Sequence, residues 1–301
     1  MATYNRSNVL KYAIESVRRS TFNRWELLVV DDASTDDTES VARSFSGDPR
    51  IRYIRLPRNS GDQSAPNNEG IRLARGRYVA FLNQDDLWFP DHLEKGFRAL
   101  EESGSDWVFT LGLVIYDVDD IRIHGVAPGG RYDPKLHNVR DIPGCFWMVR
   151  KEVLIELGGW RRHRGILLVP SQDLLIRGYR AGKKISMVPA VTVVHFPTST
   201  RSRKDCYLRR DEGEQKRFLE RMSSETGLRE EMLVRAAVSE QARLAVRSTK
   251  VLWKAAELTL ALIYRACRVF GILPLEANYF LRYRRKGAFM RFVIRNRGLV
   301  P

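Results

Sequence analysis

The chain has 301 residues, 44% hydrophobic and 29% charged, an ordinary composition for a soluble protein with a substantial core. Its formal charge of +15 is unevenly spread: residues 1–200 hold 28 Lys+Arg against 25 Asp+Glu, and residues 201–301 hold 23 against 11. Cys145, Cys206 and Cys267 form no CxxC or Cys/His cluster, which argues against zinc and for reduced thiols in a cytoplasmic protein; no signal peptide opens the chain and no charge-free stretch reads as a membrane span.

Residues 26–30 (ELLVV) read as a strand ending in Asp31-Asp32. A helix follows in ASTDDTESVARSF, where Asp36 and Glu39 have capping-box spacing. Residues 51–56 (IRYIRL) are a second strand, and the polar loop PRNSGDQSAPNNEG leads to a helix in IRLARG. Residues 78–82 (YVAFL) have the length and apolarity of a buried parallel strand and run into Asp85-Asp86. A helix in WFPDHLEKGFRALEE and a strand over 107–117 follow, then an irregular, charged excursion over 118–141. Residues 142–160 read as a strand and a short helix closed by Gly158-Gly159. Gln172-Asp173 opens a helix that Gly182 stops, and 185–196 is a β-branched strand ending at His195, before a mobile loop, PTSTRSRKDC. From 206 onward the pattern is helical, with Val251, Ala255, Leu258 and Leu262 on one face and Lys250, Lys254, Arg265 and Arg268 in a basic stripe. The alternation predicts an α/β architecture, a Rossmann-like, doubly wound and mostly parallel sheet over 1–205, with a basic helical region over 206–301.

Ligands of open α/β sheets bind beyond the carboxyl ends of the strands, and that is where Asp31-Asp32 and Asp85-Asp86 fall. Carboxylates gathered there repel one another unless a hard divalent cation, itself holding a phosphate, sits among them. Each pair has a plainer reading as a turn or cap for the helix that follows. Asp173 at a helix start is either a dipole-stabilised cap or a general base facing the same crevice. A lone histidine such as His195 at a strand end is more often structural than a ligand. Arg201, Arg203 and Lys204 would suit a diphosphate clamp, and equally a solvated loop. No GxGxxG after a strand, no GKS/T loop and no GxSxG elbow is present, which weakens dehydrogenase, NTPase and hydrolase readings.

With these residues in hand, the sequence resembles a family 2 glycosyltransferase, a nucleotide-sugar enzyme of the GT-A fold. ATYNR, ELLVVDDASTDDT, RNSGDQSAPNNEGI, ARGRYVAFLNQDDLWFPDHLE, GCFWMVRKEVLIELGGW and SQDLLIRGYRAGKKI occur in family order over about residues 1–200. The resemblance implies transfer of a sugar from a UDP-, GDP- or dTDP-sugar to an acceptor hydroxyl, with inversion, in polysaccharide, lipopolysaccharide or other glycoconjugate synthesis. It implies Asp32 at the nucleotide base, with Thr3 and Asn67 also on the donor side. Asp85 would lie near ribose or sugar, and Gly144 beside the donor sugar. Asp86 and His195 would hold Mg2+ or Mn2+, Arg201 and Arg203 would meet the diphosphate, and Asp173 would be the catalytic base.

Three departures stand out. The family usually carries an apolar strand ahead of the segment matching Thr3-Tyr4-Asn5, so the natural start is expected upstream of Met1. Asn83 replaces a frequent Asp. Pro66 and Arg161-Arg162 differ from common family residues, so the acceptor cannot be carried over. The basic tail has two readings: packing on the catalytic domain, or lying on an anionic membrane surface at the inner face of the cell membrane, where a lipid-linked or glycan acceptor would be met. Nucleic acid is not the expected partner, because the excess charge lies outside the sheet and no RNA- or DNA-binding motif is present. A non-catalytic glycan- or nucleotide-binding relative is the alternative to the enzyme.

Overall fold

The structure is a computed structural model, and it describes residues 1–117, 120–124, 142–197, 213–225, 227–248 and 286. Arg201, Arg203 and the basic stripe from Lys250 to Arg268 lie outside the described residues.

In chain order the elements begin with β1 (Ala2–Thr3), α1 (Ser7–Arg18), β2 (Leu27–Asp31), α2 (Thr38–Arg43), β3 (Ile51–Arg55) and α3 (Ser64–Leu73). They continue with β4 (Tyr78–Ala80), β5 (Leu87–Trp88), α4 (His92–Ser103), β6 (Trp107–Asp117) and β7 (Asp120–His124). A 3-10 turn, Gly144–Phe146, precedes β8 (Trp147–Arg150) and α5 (Lys151–Glu156), a second, His163–Gly165, precedes α6 (Pro170–Arg180), and β9 (Ile185–His195) completes the sheet region. Two further helices, α7 (Gly213–Ser224) and α8 (Leu228–Ser248), follow.

β1, β2 and β3 form a parallel three-stranded sheet, with Thr3 opposite Asp31 and Asp31 opposite Arg55. The second sheet has six strands in the order β4-β8-β6-β9-β5, with β7 paired to β6. Within it β6 and β9 run parallel, and β8, β5 and β7 pair antiparallel with their neighbours. All five residues of β2 are buried, which is why its sequence is a continuous apolar run rather than an alternating one.

Several local readings shift. α3 begins at Ser64, inside the stretch read as a loop, and α6 begins at Pro170, where proline's fixed φ and missing N–H suit the first helical turn. The capping box does not form: Asp36 accepts from the Thr38 and Ser7 amides, but Glu39 pairs with Arg43 instead of reaching back. Part of the 118–141 excursion is regular, since Asp120–His124 forms β7 against β6.

β1 is two residues long, and Met1 precedes it with its ammonium buried, donating to the Leu28 carbonyl at 2.9 Å and pushed down to about 5 by burial. A cavity of about 320 Å³ lies between β2 and β4, lined by Met1, Leu27, Leu28, Tyr78, Val79 and Phe81 among others.

The main core joins both sheets and α1, α4, α5 and α6 through Leu10, Val29, Leu100, Trp107, Trp147, Leu154 and Leu174. A second cluster unites the far side of the large sheet with the tail: Leu219, Leu228, Met232 and Ala236 pack with Leu87, Leu113, Ile121, Val194 and Phe196. Arg229 adds a paired contact to Asp91 at 2.7 and 2.9 Å. Residues 213–236 therefore share a core with the sheet.

Candidate active site

The two loops that leave β1 and β2 are laced together. Ser34 Oγ accepts from the Asn5 amide at 2.9 Å, and Asn5 Oδ1 accepts from the Thr35 amide at 2.7 Å. Asn5 (φ 48°) and Ala33 (φ 61°) both occupy the left-handed region, a conformation costing non-glycine residues free energy and found most often where a site must be held in place. The neighbouring carboxylates have different tasks. Asp31 is fully buried and accepts from the Ser34 amide, Tyr53 Oη and Arg55 Nη1, so it is a structural knot and not a member of a four-carboxylate crevice. Burial and its negative charge together raise Tyr53 to about 12. Asp32 accepts from the Ser60 amide and hydroxyl; burial raises its pKa, with Asp62 adding to the effect and the Ser60 bonds opposing it.

The acidic pair sits in the turn between β4 and β5. Gln84 ties that turn to β1, its Oε1 accepting from Thr3 Oγ1 at 2.7 Å and from the Tyr4 amide at 2.8 Å. Arg6 reaches Asp85 at 3.5 Å, a charge pair with both partners nearly out of solvent. Asp86 is fully buried, yet its pKa is lowered: burial favours the neutral acid, but His195, the Phe196 amide and Cys145 together outweigh it. His195 Nδ1 lies 2.9 Å from both Asp86 oxygens, and Asn83 Nδ2 donates to Asp86 at 2.7 Å. Cys145 Sγ is 3.9 Å from the same His195 nitrogen, and burial, then Asp86, push the thiol well above its usual pKa. Asp86, Cys145 and His195 thus offer three ligand atoms within 4.8 Å of one another.

Gly144 immediately precedes Cys145, and a side chain there would meet the Trp160 ring at 3.1 Å and Ser171 at 3.9 Å. The segment carrying Trp160 is fastened to α3: Asn68 accepts from the Trp160 amide and donates to its carbonyl, at 2.8 and 2.9 Å. Gly159 (φ 65°) has to be glycine, because a Cβ would strike the Asn68 amide. Asp62 accepts from the His163 amide and ring nitrogen, at 2.9 and 2.6 Å. Asp173, in the first turn of α6, is gripped by Arg177 at 2.7 Å, with Arg161 at 4.0 Å. Arg177 also donates to the Leu157 and Gly159 carbonyls, so the carboxylate is held on a fixed fork.

Gly144 and Cys145 set the Asp86–His195 group near Ser171, two residues before Asp173, since a Cβ on Gly144 would come within 3.9 Å of Ser171. A chain of contacts runs from Asp32 through Ser60 to Arg162, next to the Arg161 that faces Asp173. Thr3 joins the acidic turn through Gln84. Asn67 is placed apart, buried on α3 and lining the cavity between β2 and β4. Sequence reasoning passed over Arg6, Ser60, Cys145 and Gln215. Gln215, fully buried on α7, donates to the Asp85 carbonyl at 3.4 Å. Nothing local to residue 6, 145 or 215 announces a partner at 85 or 86; only the fold brings them there.

One carboxylate and one imidazole fit a divalent cation completed by phosphate oxygens, with the imidazole favouring Mn2+ over the oxygen-seeking Mg2+.

The sheet arrangement and the acidic turn define a GT-A type, Rossmann-like α/β protein. The chain belongs to glycosyl transferase family 2, whose model matches residues 1–158. The putative teichuronic acid biosynthesis glycosyltransferase TuaG of Bacillus subtilis is 37% identical over 146 residues, 48% of this chain and 57% of that protein. The Escherichia coli UDP-Glc:alpha-D-GlcNAc-diphosphoundecaprenol beta-1,3-glucosyltransferase WfgD is 38% identical over 94 residues, 31% of this chain and 36% of that one. The matched region is thus less than two thirds of either relative. The crystal structure of S. aureus TarS 1–349 in complex with UDP-GlcNAc aligns with a TM-score of 0.56 and 17% identity, over 79% of this chain and 70% of that one, and shares the fold.

Proposed function

We propose that this chain transfers a sugar from a nucleotide-sugar donor to an acceptor hydroxyl with inversion. The observation that carries the reading is Asp86, buried with both oxygens 2.9 Å from His195 Nδ1, at the turn that Gln84 fastens to β1. A buried carboxylate on a histidine, next to a second carboxylate held by Arg6, is a place built for a cation and a diphosphate. Asp32, fastened to Ser60, would recognise the base, and Gly144, with no room for a side chain beside the Trp160 ring, would border the donor sugar. Asp86 and His195 would hold Mg2+ or Mn2+, which when bound neutralises charge on the departing nucleoside diphosphate.

The remaining work falls to the protein's own groups. Asp173, held by Arg177, takes the proton from the acceptor hydroxyl, whose oxygen attacks the anomeric carbon from the face opposite the leaving group. The fixed fork keeps the carboxylate from turning away, a positioning effect. A UDP-sugar is the leading donor, supported by the UDP-Glc in the name of the E. coli relative and the UDP-GlcNAc bound in the S. aureus structure of the same fold, and the teichuronic acid and diphosphoundecaprenol in the relatives' names favour a polysaccharide or lipid-linked acceptor. Residues 201–301, with their charge excess, would bring the chain to an anionic membrane surface. Among the described residues no helix is long and apolar enough to cross a membrane.

A melting-temperature panel of UDP-, GDP- and dTDP-sugars with Mn2+ tests the donor, since a ligand bound only by the folded state raises the midpoint by mass action. Asp173→Asn should abolish transfer and leave the UDP-sugar shift in place. Unchanged turnover in that variant would reject the base assignment, and no shift with any donor would reject the function.

A further inference from the structure

We infer that Cys145 is a third protein donor at the Asp86–His195 centre, so that the site takes a thiolate-accepting divalent cation of the Zn2+, Co2+ or Cd2+ class more tightly than Mg2+. The inference deepens the reading above and rests on it for the metal-holding part of Asp86 and His195.

The three ligand atoms come from three separate elements: the turn before β5, the 3-10 turn before β8, and the end of β9. Cys145 and Asp86 are fully buried, and His195 is partly open, leaving a route for an ion. His195 Nδ1 stands 3.9 Å from Cys145 Sγ and 2.9 Å from the Asp86 oxygens. Two ligands on a tetrahedral zinc, with bonds of about 2.3 Å to sulfur and about 2.0 Å to nitrogen or oxygen, lie about 3.3 to 3.6 Å apart. Both separations come within about half an ångström of that range.

The donors are also braced from behind, as ligands of a metal site are. Trp88 Nε1 donates to the Cys145 carbonyl at 3.0 Å and fixes the turn that carries the thiol. The Phe196 amide and Asn83 hold Asp86 at 2.9 and 2.7 Å. The Phe146 ring meets His195 edge-on, with centroids 6.3 Å apart.

A thiolate, a carboxylate and a neutral imidazole together carry two negative charges, which balance a dication in a site with almost no solvent. Thiolate selects zinc-like ions over magnesium, whereas a carboxylate and an imidazole alone do so far less. Binding releases the thiol proton, and any proton on the ligating imidazole nitrogen, to solvent. The competing role for a buried cysteine is that of a small apolar side chain donating weakly to Asp86, and it predicts no sulfur–metal bond.

The test uses the full chain carrying Cys206→Ser and Cys267→Ser, so that Cys145 is its only thiol. Titration with Co2+ should raise a near-ultraviolet sulfur-to-cobalt charge-transfer band that saturates at one equivalent. Adding Cys145→Ser should remove the band and weaken Zn2+ binding, measured by chelator competition, by about tenfold or more, with a smaller effect on Mn2+. Cobalt bound without the band, no cobalt bound at all, or unchanged Zn2+ affinity in Cys145→Ser would each overturn the inference. If Cys145→Ser does not fold, the band in the single-thiol chain decides alone. The UDP-sugar melting shift reads the transferase proposal separately: its loss with the band intact would sink that proposal and leave the sulfur ligand standing.

Discussion

Asp62→Asn should loosen the wall beside Asp173, and its cost should vanish in acid. Asp62 is the buried pin that joins the start of α3 to the segment at 160–163. It accepts from the Ser64 amide at 2.8 Å and from the amide and ring of His163, which is itself almost wholly buried. Burial alone would raise its pKa, but His163 and the amides more than reverse that and hold it at about 2, against the usual 3.8. That gap corresponds to about 2 kcal/mol of folding stability at neutral pH. Because the folded value is depressed, this stability is fully present above about pH 4, is roughly half gone near pH 3, and is lost as pH falls through about 2. Asparagine keeps acceptors for the amides but not the charge. The variant should therefore unfold at lower urea than the parent at pH 7, by about 2 kcal/mol, with the difference shrinking as both are acidified toward pH 3. A difference that stays constant from pH 7 to pH 3 would show that shape, not charge, makes the contact, and would refute the reasoning.

Three further outcomes are expected. Gly112→Ala places a methyl group against Phe146, with ring carbons at 2.6 and 2.8 Å, and should cost about 1–3 kcal/mol; Phe146→Leu in the same chain should recover part of it in thermal melts, and additive losses would argue against the clash. His92 is fully buried, stacks on Trp88 at 4.2 Å, and is lowered to about 3 by burial. It stays neutral in the fold while the unfolded chain takes up a proton below about pH 6.5, so its contribution to stability falls by up to about 1.4 kcal/mol per pH unit in that window, and His92→Gln should show a flatter urea-midpoint profile between pH 6.5 and 4. Finally, the chain should sediment with vesicles of anionic lipid at low salt and release at high salt. Recovery wholly in the supernatant at low salt would remove the membrane reading of the basic tail.

β2, β3, β4, β6, β8 and β9 could be found in the sequence because each is an apolar run cut off by charge or by Gly and Pro, a signal that survives without tertiary context; β5, two residues read into the following helix, and β7, read into an irregular excursion, could not. The acidic turn was legible because two adjacent carboxylates close behind the apolar run YVAFL need a counter-charge or a ligand. The antiparallel insertion of β8 between β4 and β6 was not, since strand direction and neighbour are not written in a run of Trp147-Met148-Val149. Nor was the difference between Asp31 and Asp32. They are adjacent and chemically identical, and only the arrival of Tyr53, Arg55 and Ser60 from later in the chain ties one to Tyr53 and Arg55 and the other to the loop at Ser60.

The sequence by itself determined an α/β chain with an acidic turn after one of its strands, because periodicity and charge are local properties, and its ordered motifs carried the resemblance to family 2 glycosyltransferases. The tertiary structure alone decided that a cysteine at 145, an arginine at 6 and a glutamine at 215 belong with that turn. Residues far apart along the chain become neighbours only when burial of the apolar faces brings their strands and helices together.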